Sequence, residues 1–174
     1  MFPYFTNLNK RIISNDETLE LRDFAIKNIS KFVSDNAGNY MNYINKSMQE
    51  ELPFIDKLSK RFNIQTIPML FFQEPHTEVI KHKDESFNRN TILMTPINPL
   101  DNYMPIYFWK SSNDTQPVAT CNFENNTSIL FNAHEIHSVI NNSDEYRINL
   151  QFSCYENIEI VYKLYCSGQL LKEE

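Results

Sequence analysis

The stretch HSVINNSDEYRINLQF, running from His137 to Phe152, decides the architecture. Residues 136–140 and 147–154 read as strands, parted by an Asn-, Ser- and Asp-rich turn at 141–145. Side chains of that kind bond to their own backbone and accept tight turn geometry. In the second strand the period is two: Ile148, Leu150 and Phe152 face one way, and Arg147, Asn149 and Gln151 face the other. An arginine sent into a barrel needs an anionic partner, because burying it unpaired is costly. Guanidinium matches a carboxylate through two parallel hydrogen bonds, so Arg147 is a candidate anion clamp. A structural ion pair, or a place on a half-exposed strand, is the plainer alternative.

Working outward, the same short β-rich pattern repeats from Ile64 onward. It predicts strands at 65–73, 77–81, 91–97, 104–110, 117–121, 128–131 and 159–166, in addition to the two above. Turn residues such as Glu74-Pro75 and Asn98-Pro99 separate them. Many short strands with a turn every eight to twelve residues imply a sandwich or barrel. The amino-terminal third reads as helical. Ser14 and Glu17 have capping-box spacing, and Leu21, Phe24, Ala25, Phe32 and Val33 recur at helical intervals. A second periodic stretch carries Tyr40, Tyr43, Ile44 and Met48. A third follows Pro53, with Ile55, Leu58 and Phe62. The expected fold is mainly β with N-terminal helices: one domain over 1–174, with 1–62 as helical support and 63–166 as the barrel.

Composition sets the function classes. The 174 residues suit one core, and a net charge of -6 disfavours nucleic acid or an anionic membrane as partner. No apolar run is long enough to span a bilayer, and no basic segment leads into an apolar one as in a signal peptide. Cys121, Cys154 and Cys166 have no metal-type spacing and read as free thiols, so a cytoplasmic protein is expected. With only Gly38 and Gly168 present, turns must rely on Asn, Asp, Ser and Pro.

All four histidines, His76, His82, His134 and His137, lie in the β-rich part. His82 and Asp84 stand two apart, so on an extended chain both can reach one ion. With His137 they give two imidazoles and a carboxylate, the facial triad of non-haem iron(II) centres, which leaves adjacent coordination positions open. Strand alternation sets His134 on the opposite face from His137, in a turn or supporting role. A different metal site, built from His76 and His82 with Glu78 or His137, is a competing arrangement.

The order HxD, distal His, then Arg ten residues on resembles the 2-oxoglutarate and iron(II)-dependent dioxygenases. Residues 137–150 look most like the branch holding aspartyl/asparaginyl β-hydroxylases and free-proline hydroxylases. The resemblance covers roughly 78–152 and implies a double-stranded β-helix, or jelly-roll, cupin-like barrel. It further implies Fe(II), 2-oxoglutarate and O2 as cofactors, with His82, Asp84 and His137 on the metal. Arg147 would pair with the far carboxylate of 2-oxoglutarate, and Asn149 stands where many relatives carry a hydroxyl residue. Tyr107 and Thr91 are further candidates for cosubstrate contact. Substrate selectivity belongs to the loops 84–90, 98–104 and 110–116. There Arg89 and Lys110, with Lys83, could steer an acidic or carboxylated substrate, and Trp109 could touch it. The implied activity is hydroxylation of a small molecule, an amino acid or a residue in a peptide. A non-catalytic ligand- or protein-binding barrel is the competing class.

Overall fold

The computed structural model describes residues 4–9, 11–34, 39–43, 50–84, 89–99, 103–123 and 127–172. Among them are eleven strands: β1 (Phe5–Asn7), β2 (Val33–Ser34), β3 (Asn39–Tyr43), β4 (Thr66–Gln73), β5 (Glu78–His82), β6 (Thr91–Asn98), β7 (Ile106–Trp109), β8 (Ala119–Cys121), β9 (Ile129–Asn132), β10 (Ile136–Ile140) and β11 (Arg147–Cys154). Three α-helices join them: α1 (Asn15–Lys27), α2 (Pro53–Arg61) and α3 (Ile158–Cys166). The strands form a seven-stranded sheet, ordered β1-β9-β6-β11-β4-β3-β2, and a four-stranded sheet, ordered β5-β10-β7-β8. Every pairing is antiparallel. This is the jelly-roll double-stranded β-helix that the family resemblance implied, and it fits the sandwich or barrel expected from the strand pattern.

Strand β11 lies at the middle of the large sheet, and all eight of its residues are buried. Its two faces do different work. Ile148, Leu150, Phe152 and Cys154 pack with Leu21, Phe24 and Ala25 of α1, Ile55 and Leu58 of α2, and Ile158 and Val161 of α3. Arg147, Asn149, Gln151 and Ser153 face the space between the sheets. A second apolar cluster also fills that space: Ile92 and Met94 of β6, Ile106 and Phe108 of β7, Ile129 and Phe131 of β9, and Val139 of β10. Helices therefore cover the outer face of the large sheet, and the small sheet closes over its inner face.

Two expectations need correction. Residues 1–62 are more than helical support, since β1, β2 and β3 extend the large sheet at both edges. Tyr40 and Tyr43, expected on a helix, lie on β3, while Ile44 and Met48 fall outside the described residues. The stretch 159–166, expected as a strand, is the helix α3. Its β-branched and aromatic residues favour strands, but Ile158, Val161 and Tyr165 repeat at helical spacing and Asn157 caps its first turn by accepting from Ile160 N (3.1 Å).

Candidate metal centre

His137 sits on β10 directly opposite His82 on β5 and Phe108 on β7. The three share the interior face, and His137 is 5% exposed. A bulge re-aims His82. Val79 pairs with Val139 and His82 with His137, so β5 spends one residue more than β10 between those pairs. On a regular strand Val79 and His82, three residues apart, would point to opposite faces, and the extra residue lets both face His137 and Val139. The imidazoles of His82 and His137 stand 4.3 Å apart between ring centroids.

Asp84 follows the end of β5. Its backbone N–H donates to Ala133 O (2.9 Å), in the turn joining β9 to β10. The carboxylate then reaches both imidazoles: Oδ1 is 3.6 Å from His82 Nε2, and Oδ2 is 3.7 Å from His137 Nε2. One ligand atom from each of the three residues lies within 4.8 Å of the others, and no other such group occurs among the described residues. Each histidine is held through its other nitrogen. His82 Nδ1 meets Ile80 O (2.8 Å) and His137 Nδ1 meets Glu135 O (2.9 Å). A carbonyl at Nδ1 makes that nitrogen the N–H donor and leaves the Nε2 lone pair for a cation. Burial, with His82 alongside, pushes the His137 imidazole down to about 4, against the pull of Asp84. It is therefore neutral near pH 7, as a metal ligand must be.

Behind the triad the inner face of the large sheet is polar. Arg147 is 2% exposed, with its guanidinium 4.8 Å from the Tyr103 ring centroid and 6.0 Å from that of Phe71. Burial lowers its pKa and raises that of Tyr103, and Tyr103 donates to Ile148 O (3.2 Å). Arg147 Nε, both amide atoms of Asn149, Gln73 Oε1 and Ser153 Oγ are buried without a hydrogen-bond partner among the described residues. Native interiors seldom leave polar atoms in that state, so so many on one wall call for a polar guest. Arg147 lies four residues from Gln151, or roughly 13 Å down an extended strand. Gln151, through Arg89, adjoins Asp84 of the triad, and Arg147 lies further along the same face of β11.

Arg89 is also here, 6% exposed rather than in solvent. Its Nη2 donates to Gln151 Oε1 (3.2 Å), and its Nη1 is 3.9 Å from Asp84 Oδ1. The other candidates do not join the group. Tyr107 and Trp109 alternate with the inward Ile106 and Phe108, so they lie on the outer face of the small sheet. There Trp109 Nε1 donates to Ser138 Oγ (2.9 Å), and Lys81 Nζ sits 3.7 Å from its ring centroid. Thr91 donates to Glu156 O (2.9 Å), and Lys110 is exposed. The competing metal arrangement fails on register. His76 bonds Asp144 Oδ1 (3.0 Å), and Glu78 pairs with Ile140 at the far end of β10 from His137. His134 is exposed on the β9–β10 turn, with Nε2 2.7 Å from Asn90 Oδ1.

Sequence reasoning passed over Tyr103 and Asn90. Asn90 N–H donates to Cys154 O, its side chain donates to Tyr155 O, and its carbonyl accepts from Ala133 N. It ties the β9–β10 turn, to which Asp84 is bonded and which leads into the strand of His137, to the end of β11. Neither residue had a spacing signal, because each acts through chain segments that meet only in the fold.

No family model matches the sequence, and no curated protein does either. Solved structures do match. A prolyl-4-hydroxylase from Pseudomonas putida superposes with a TM-score of 0.60 at 12% identity, over 88% of this chain and 94% of that one. A viral collagen prolyl hydroxylase from Paramecium bursaria Chlorella virus-1, in a 2-oxoglutarate complex, gives 0.56 at 13%, over 86% and 94%. A non-haem α-ketoglutarate-dependent epimerase from nogalamycin biosynthesis gives 0.58 at 12%, over 86% and 76%. The chain therefore has the double-stranded β-helix fold seen in prolyl hydroxylases and other 2-oxoglutarate-dependent oxygenases.

Proposed function

We propose that the protein is an Fe(II)- and 2-oxoglutarate-dependent oxygenase that hydroxylates an amino acid or a residue in a peptide. The observation that carries this reading is the pairing of a preformed His82–Asp84–His137 group with a buried, polar wall ending at Arg147. The donor set of two neutral imidazoles and one carboxylate suits iron(II) and leaves positions for a chelating cosubstrate and dioxygen. When bound, the iron and 2-oxoglutarate supply the oxidising chemistry. This chain's residues do the rest. The Nδ1 contacts to Ile80 O and Glu135 O fix the imidazoles, and the Ala133 carbonyl fixes Asp84. Arg147 receives the far carboxylate, and Asn149 supplies an amide to the same guest. The three free thiols suit a reducing, cytoplasmic setting.

The test is anaerobic calorimetry of the Fe(II)-loaded protein with 2-oxoglutarate. Binding should be saturable and should be lost in Arg147→Ala. Failure of the intact protein to bind 2-oxoglutarate overturns the reading, and the barrel is then a ligand-binding module without this chemistry.

A further inference from the structure

We infer that the substrate carries a carboxylate and that Arg89 receives it, an inference that rests on the oxygenase reading above. Arg89 is buried, and its Nε has no hydrogen-bond partner among the described residues. Its fixed contact is to Gln151, a neutral side chain that holds the guanidinium without cancelling its charge. The anion it faces is Asp84, at 3.9 Å. That distance is beyond a hydrogen bond, so this is charge compensation without a bidentate grip.

Charge balance then decides what Arg89 needs. A divalent cation between His82, Asp84 and His137 takes the Asp84 carboxylate for itself. The two histidines are neutral ligands, and the dicarboxylate cosubstrate answers the remaining charge of the metal and that of Arg147. Arg89 is left as an uncompensated cation in a buried site, which is costly unless another anion arrives. A carboxylate fits, since the planar fork of arginine matches it. The same reasoning couples the two events. Metal loading frees Arg89 from Asp84, so an anionic substrate should bind more tightly to the metal-loaded protein than to the metal-free one.

The carboxylate can come from a free amino acid or from an acidic side chain in a peptide. A binding screen separates the sources. The protein is loaded with Mn(II), which permits no turnover, and saturated with 2-oxoglutarate. Each free amino acid is then compared with its own amide, and Asp- or Glu-containing peptides with their Asn or Gln counterparts, by ligand-induced shift of the unfolding temperature. Members that bind should need the carboxylate. Arg89→Gln should weaken them about thirtyfold or more, and Arg89→Lys should retain part of the affinity. Chelating the Mn(II) should weaken the same probes. Binding of amides as tightly as acids, unchanged affinity in Arg89→Gln, or no binding by any carboxylate probe overturns the inference while leaving the oxygenase reading standing. If wild-type protein takes up neither Mn(II) nor 2-oxoglutarate, both fall together.

Discussion

At the scale of single residues, three side chains from two strands and a loop converge because backbone carbonyls aim them. Asp84 separates the two metal arrangements that the sequence left open. Asp84→Ala should lower Fe(II) affinity by about a hundredfold or more, as loss of a ligand outweighs the 10–100-fold effect of an outer-shell change. A nearly unchanged affinity by metal titration would mean that the ion is held by other residues. The thiols give a second residue-scale prediction. Burial raises Cys121 and Cys154 to about 12, whereas Cys166 is exposed. The thiolate is the reactive form. Ellman's reagent should therefore label Cys166 quickly in the native protein, and Cys121 and Cys154 only after denaturation. Rapid native labelling of all three would contradict the burial.

Among the elements, helix α1 shows the most local cause. Glu17 N donates to Ser14 Oγ (3.2 Å) and Ser14 N donates to the Glu17 carboxylate (2.7 Å), which completes the capping box read from spacing alone. Ser14→Ala should cost about 1 kcal/mol of stability in urea denaturation. A pin of longer range holds two turns at the other end of the barrel. Asn141, fully buried, donates through Nδ2 to Glu74 O and Glu145 O (both 2.9 Å) and through its backbone to Thr77 O (2.9 Å). Asn141→Ala removes the side-chain bonds to Glu74 O and Glu145 O and should cost more than the cap, about 2–3 kcal/mol. If Ser14→Ala proved the more damaging of the two, this ranking of local cap against buried pin would be wrong. In β5, the bulge that turns His82 inward has no mark in the sequence, because only the register against β10 defines it.

For the whole molecule, the packed interior between the sheets ties stability to pH. His137 titrates at about 4 in the fold and near 6.5 in an unfolded chain. The unfolded state therefore binds more protons between those values. In the metal-free protein, stability from this group should be complete above pH 6.5, fall as pH drops toward 4, and level off below. The loss is of order 3 kcal/mol at most, read from urea midpoints at pH 7.5 and 4.5 after chelation. His137→Gln should flatten that slope, and a midpoint that rises on acidification would sink the account. Added metal should oppose the loss, since it binds only the folded arrangement.

The sequence by itself determined what depends on near neighbours. Alternation placed Arg147, Asn149 and Gln151 on one face of β11 and Ile148, Leu150 and Phe152 on the other. Turn residues delimited most strands, and the Ser14–Glu17 spacing marked a helix start. It also held the triad as a spaced set of residue types. Only the tertiary structure decided what depends on chains meeting across the barrel. Residues 33–34 and 39–43 become strands because they find an open sheet edge beside β4. Tyr107 faces outward and Tyr103 reaches Arg147, although nothing local distinguishes the two tyrosines. Arg89, expected on a selectivity loop, is buried between Gln151 and Asp84. Period and capping are short-range physics and survive in one dimension, whereas register, burial and charge pairing are set by partners far away in the chain.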